Sequence, residues 1–118
     1  MTGDFAITPR RAGLQMLARF EVGGTPQSNP TGYVLRSPTH WLKEIAGSGV
    51  PLQIWWSITD QIVVDQTHQS AHFYTELRKL RPRGRVEAVT GTWRHSSEMR
   101  YDTQLPNAVR WLGLLPPV

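Results

Sequence analysis

Apolar positions recur along this chain at two spacings, and the change from one to the other separates helices from strands. Residues 1–9 show neither spacing and read as irregular. Over residues 10–21, Leu14, Leu17 and Ala18 fall on one side of a helix, which Gly23-Gly24-Thr25-Pro26 stops. Residues 22–37 are rich in Gly, Pro, Ser and Asn and read as loop. Ser37-Pro38 then opens a short helix, with Ser as N-cap and Pro in the first turn. Trp41, Leu42 and Ile45 form its apolar stripe, and Gly47-Ser48-Gly49 ends it.

The strand signals lie at about 50–57 and 85–90. The first is almost continuously apolar through Val50, Leu52, Ile54, Trp55 and Trp56, broken by Gln53. Such a run implies a strand covered on both faces, as in a parallel sheet between helices. Ser57-Ile58-Thr59-Asp60 is the turn that follows. Residues 65–80 read as a helix, with Asp65 in its first turn and Phe73, Tyr74, Leu77 and Leu80 along one side. Pro82 and Gly84 break it. Val86, Val89 and Thr90 mark the second strand, Gly91 to Thr103 a loop, and Leu105, Val109 and Leu112 a last helix. Helices alternating with strands predict an α/β fold with parallel strands joined by a right-handed crossover. Two strands make a poor sheet on their own, so further strands are expected from elsewhere.

The length, 118 residues, suits one domain. There is no cysteine, which removes disulfides and thiolate metal sites and fits a reducing compartment. Met1-Thr2-Gly3-Asp4 does not open a secretory signal, and no apolar run nears the ~18 residues of a membrane span. The expectation is a cytoplasmic protein without a membrane partner.

Net charge is +4, and Arg78, Lys79, Arg81, Arg83 and Arg85 crowd one segment without an acid among them. Such a cluster attracts phosphate. No aromatic residues interleave with it, so a helix end and turn is the preferred reading over nucleic-acid binding. His68 and His72 stand four apart, a spacing found in zinc sites. No third ligand is near in sequence, so no metal is expected. The five Trp, at 41, 55, 56, 93 and 111, read as core and site lining.

In parallel α/β sheets, ligands sit beyond the carboxyl ends of the strands. Asp60 follows the first strand and His95 the second. On neighbouring turns the carboxylate would fix the ring's tautomer and stabilise its protonated form.

Pro51-Leu52-Gln53-Ile54-Trp55-Trp56-Ser57-Ile58-Thr59-Asp60-Gln61-Ile62-Val63 resembles the strand and acid turn of α/β-hydrolases, and Gly91-Thr92-Trp93-Arg94-His95 resembles their histidine loop. Leu105 to Leu114 is similar to the closing helix. Arg36-Ser37-Pro38, Gln69-Ser70 and Phe73-Tyr74 resemble the prolyl-oligopeptidase-like branch. The resemblance spans about residues 23–115 within one partial domain, 1–118. Ser57 stands where that family usually has Gly, and Gln61 where it often has Pro.

The resemblance implies a C-terminal portion of a serine hydrolase, an esterase or peptidase acting on a small ester or peptide. Asp60 and His95 would be its catalytic acid and histidine. No G-x-S-x-G nucleophile elbow occurs in these residues. Gly47-Ser48-Gly49 ends a helix, and Ser96 and Ser97 follow the histidine rather than an elbow. The chain alone is therefore expected to be inactive. Its expected partners are a nucleophile-bearing N-terminal half or a second copy, and no cofactor is implied. The alternative is a non-catalytic interaction protein that binds through segment 78–85.

Overall fold

A computed structural model describes residues 12–95 and 104–118. The described elements run α1 (Ala12–Val22), α2 (Pro30–Leu35), a 3₁₀ turn Pro38–Trp41 leading into α3 (Leu42–Gly47), and β1 (Leu52–Ser57). A 3₁₀ turn Gln66–His68, α4 (Ser70–Leu80), β2 (Val86–Gly91) and α5 (Gln104–Trp111) follow. The irregular reading of residues 1–9 and the loop reading of 96–103 lie outside the described residues.

β1 and β2 pair in parallel, from Leu52 opposite Val86 to Ser57 opposite Gly91. The mixed α/β character and parallel strands expected from the spacing are therefore present. Each strand is a little shorter or shifted relative to its apolar run, because Val50 and Pro51 precede the ladder. Side chains alternate across a strand, and here the alternation sorts the core. Ile54, Phe73, Leu77 and Val86 form the buried cluster, with Leu42, Ile45, Leu52, Trp56 and Tyr74 packed against it. Thus α3 and α4 cover one face of the pair. The other face carries Gln53, whose amide donates to Glu87 Oε2 at 2.6 Å and accepts from Trp55 Nε1 at 2.8 Å. Gln53 interrupts the apolar run because it anchors a polar network on that second face.

Three local readings change. The 22–37 segment contains α2, whose signal was Asn29-Pro30: Asn29 Oδ1 accepts from Gly32 N–H at 3.1 Å, and Pro30 takes the first helical position. The same segment closes α1. Asn29 Nδ2, Tyr33 Oη and an Arg36 guanidinium nitrogen donate to the carbonyls of Val22, Gly24 and Glu21 at 2.9, 3.0 and 3.0 Å. Carbonyls left free at a helix end are satisfied this way, and the Arg36 cation suits the negative end of the helix dipole.

Ser37 precedes the 3₁₀ turn but its side chain makes no cap; its hydroxyl donates to Tyr33 O at 2.8 Å. The helix expected over 65–80 divides in two. Asp65 sits in the left-handed region at φ 57°, and Gln69, at φ −109° and ψ −107°, breaks the helix between the turn and α4. Among the described residues no helix is long and apolar enough to cross a membrane.

Candidate active site

β1 ends at Ser57, and the chain turns so that Asp60 stands beyond the carboxyl end of the strand. Its side chain is only 8% exposed. Oδ1 accepts from the backbone N–H groups of Ile62 at 2.8 Å and Val63 at 3.0 Å. This is the local turn chemistry that aspartate supplies. It leaves Oδ2 aimed away from the turn, and Oδ2 meets His95 Nδ1 at 2.9 Å. The two residues expected to approach from sequence order do so, across 35 positions.

The protonation state follows from the donors. Burial pushes the Asp60 carboxyl up, but hydrogen bonds from His95, Ile62 and Val63, with the His95 charge, outweigh it and hold Asp60 below the usual carboxylate range. An ionised carboxylate only accepts, so His95 Nδ1 carries a proton, and the lone pair of the neutral ring falls on Nε2. His95 has a side-chain exposure of 38% and borders a cavity of about 400 Å³ with Thr59, Gln61, Ile62 and Arg94. Its hydrogen bond to Asp60 is its single one among the described residues, and no hydroxyl is bonded to it. Ser96 and Ser97 lie outside the described residues.

The histidine loop is held from three directions through Trp93. Ser57 Oγ donates to Trp93 O at 2.5 Å, and Thr59 Oγ1 reaches the same carbonyl at 3.3 Å. The Trp93 indole stacks on Trp55, with centroids 6.1 Å apart and planes inclined by 27°. It also occupies the space above Gly91, where an added Cβ would come within 2.8 Å of the ring. Glycine opens the loop because any side chain there would displace the indole. Sequence order indicated Asp60 and His95 and read Trp93 as core and site lining, but gave no role to the hydroxyls of Ser57 and Thr59.

The other sequence candidates lie apart from this site. His68 belongs to the 3₁₀ turn and His72 to α4, so the pair does not share one continuous helix face. His68 Nδ1 bonds Asp65 Oδ1 at 2.8 Å at the surface. Among the described residues no group of three or more His, Asp or Glu is placed to hold a metal.

Most of the basic segment is tied to the chain itself. Arg78 donates to Gly84 O and Pro82 O, both at 3.0 Å, and Arg81 to Val50 O at 2.7 Å. Lys79 pairs with Glu76 at 2.6 Å. Arg85 lies over the Trp111 ring, 4.9 Å from its centroid, and donates to Trp111 O. These cations close the α4–β2 turn and join α5 to β2. The Trp residues, read as core and site lining, are not fully buried: Trp55, Trp56, Trp93 and Trp111 are half-buried and Trp41 is exposed. Their width leaves edges in solvent while Ile54, Phe73, Leu77 and Val86 fill the interior.

Comparison with family models, curated proteins and solved structures gave no match.

Proposed function

We propose that this chain carries the acid and histidine of a Ser–His–Asp hydrolase of the α/β-hydrolase type, within its prolyl-oligopeptidase-like branch. One observation carries the reading: the 2.9 Å Asp60–His95 contact beyond the carboxyl ends of two successive parallel strands. In the complete site His95 Nε2 takes the proton of a serine as that serine attacks an ester or amide carbonyl. It then returns the proton to the leaving group. Asp60 holds the ring through Nδ1 and stabilises the imidazolium formed between those steps. The serine and the oxyanion donors come from outside these residues. The cytoplasmic location expected from the sequence belongs to the same proposal. The rival reading, binding through 78–85, draws little support from a segment whose cations mostly serve the chain's own carbonyls.

The test compares the purified chain with the same chain joined to the polypeptide encoded immediately upstream. Both are assayed with p-nitrophenyl esters and a fluorophosphonate probe. The chain alone should match its His95→Ala variant and take no label. The joined protein should hydrolyse ester and lose roughly 10³-fold or more on His95→Ala. A fluorophosphonate-sensitive burst from the chain alone, or an inert joined protein, would overturn the proposal.

A further inference from the structure

We infer that Ser57 and Thr59 are positioning residues for His95, acting through the carbonyl of Trp93. The inference rests on the reading of Asp60 and His95 as a working acid–histidine pair. Ser57 is buried at the last position of β1, and its Oγ donates to Trp93 O at 2.5 Å, the short end of the hydroxyl–carbonyl range. Thr59 sits two residues on, and its hydroxyl reaches the same carbonyl at 3.3 Å. The two hydroxyl oxygens lie 3.1 Å apart, each with its one proton given to the carbonyl, and Thr59 N–H donates to Ser57 Oγ at 3.2 Å. A carbonyl oxygen has two lone pairs and can accept both hydroxyls.

The consequence is geometric. Trp93 is two residues before His95, and Asp60 is one after Thr59. The acid turn and the histidine loop are therefore fastened together directly beside the contact that they must keep. Without the hydroxyls, Trp93 O loses both of its side-chain donors from the acid turn, and the Asp60–His95 bond and the Trp55–Trp93 stack carry more of the loop's position. A glycine at position 57 would supply no hydroxyl and would leave Trp93 O to Thr59 alone. Holding an imidazole within a few tenths of an ångström of its acid is what second-layer hydrogen bonds do in catalytic sites. Ser57 is not placed as a nucleophile: its proton is committed to Trp93 O, and it is buried.

The test is NMR on the purified chain. Two readouts report the pair directly: the exchange rate of the His95 Nδ1–H proton and the titration of the Asp60 carboxyl carbon. In Ser57→Ala combined with Thr59→Val, Nδ1–H should exchange at least tenfold faster, and the Asp60 titration should move up toward the ordinary carboxylate range. Core amide shifts at Ile54, Phe73 and Leu77 should stay in place. Thr59→Ser should keep wild-type values. Unchanged exchange and titration in a folded double variant would overturn the inference.

If Ser57→Ala does not fold, Thr59→Val against Thr59→Ser decides, because Thr59 is exposed. Faster exchange in the first alone supports the fastening, and equal exchange overturns it. His95→Ala separates this outcome from failure of the underlying reading. If that variant leaves the Asp60 titration where it was, the acid–histidine pair itself is absent, and both readings fall.

Discussion

Asp60 distributes three hydrogen bonds over two oxygens, two from its own turn and one from His95. Its sequence position disclosed the partner, since a turn aspartate and a loop histidine after successive parallel strands must approach one edge of a sheet. It did not disclose the fastening at Trp93. A Ser and a Thr in a turn look like ordinary turn residues, and only three-dimensional closure shows where their hydroxyls point.

The Asp60 shift sets a pH dependence. Its folded carboxyl titrates below the unfolded value, so the charged form is what folding favours. The stabilisation is complete above the ordinary aspartate value of about 3.9 and disappears as pH falls through the lower folded value. Urea midpoints measured from pH 7 down to pH 3 should fall in the wild type. Asp60→Asn keeps an acceptor for Ile62 and Val63 but sets its amide against the His95 Nδ1–H. It should start with a lower midpoint at pH 7 and show a shallower loss toward pH 3. Parallel curves for the two proteins would show that Asp60 does not contribute this term.

Among elements, those defined by packing were legible and those defined by local polar chemistry were not. β1, β2 and α4 announce themselves because Ile54, Val86, Phe73 and Leu77 face one core. α2 hid within a segment of turn-forming composition, although Asn29-Pro30 is a helix-start pair. The break before α4 depends on the backbone angles of Asp65 and Gln69, which no apolar period reports. Within α4 the faces differ sharply. Leu77 is fully buried against β1 and α3, whereas Leu80, three residues on, is half-exposed. Leu77→Ala leaves a cavity in a core of few large residues and should cost about 2–5 kcal/mol. Leu80→Ala should cost under about 1 kcal/mol, as surface changes usually do. Urea unfolding at neutral pH followed by circular dichroism measures both. Similar losses at the two positions would mean that α4 packs by another face.

At the scale of the whole molecule, surface is the dominant fact. Part of the uncovered surface is apolar. α1 buries Ala18 and Val22 on one side and turns Met16, Leu17 and Phe20 outward on the other, with Phe20 83% exposed. Part is backbone. Leu52 N–H bonds Arg85 O, and Ile58 N–H bonds Gly91 O. Alternate residues of a parallel strand bond the same neighbour, so the peptide groups of Gln53, Trp55 and Ser57 face the opposite edge of a sheet that has two strands among the described residues. An edge of this kind, uncharged and flanked by Ile54, Trp55 and Trp56, is a template for another strand.

The expected outcome is a protein of low stability that associates with itself, or with a chain supplying the next strand. Sedimentation velocity over a hundredfold concentration range should show a weight-average mass rising above 13.4 kDa. The thermal transition should be broad at low concentration and sharpen as association proceeds, since binding to the folded state stabilises it by mass action. A single monomeric boundary throughout, with a sharp concentration-independent melt, would mean that this edge and the outer face of α1 need no cover. The proposal that a nucleophile-bearing segment completes the sheet would then lose its structural motive, whatever the geometry of Asp60 and His95.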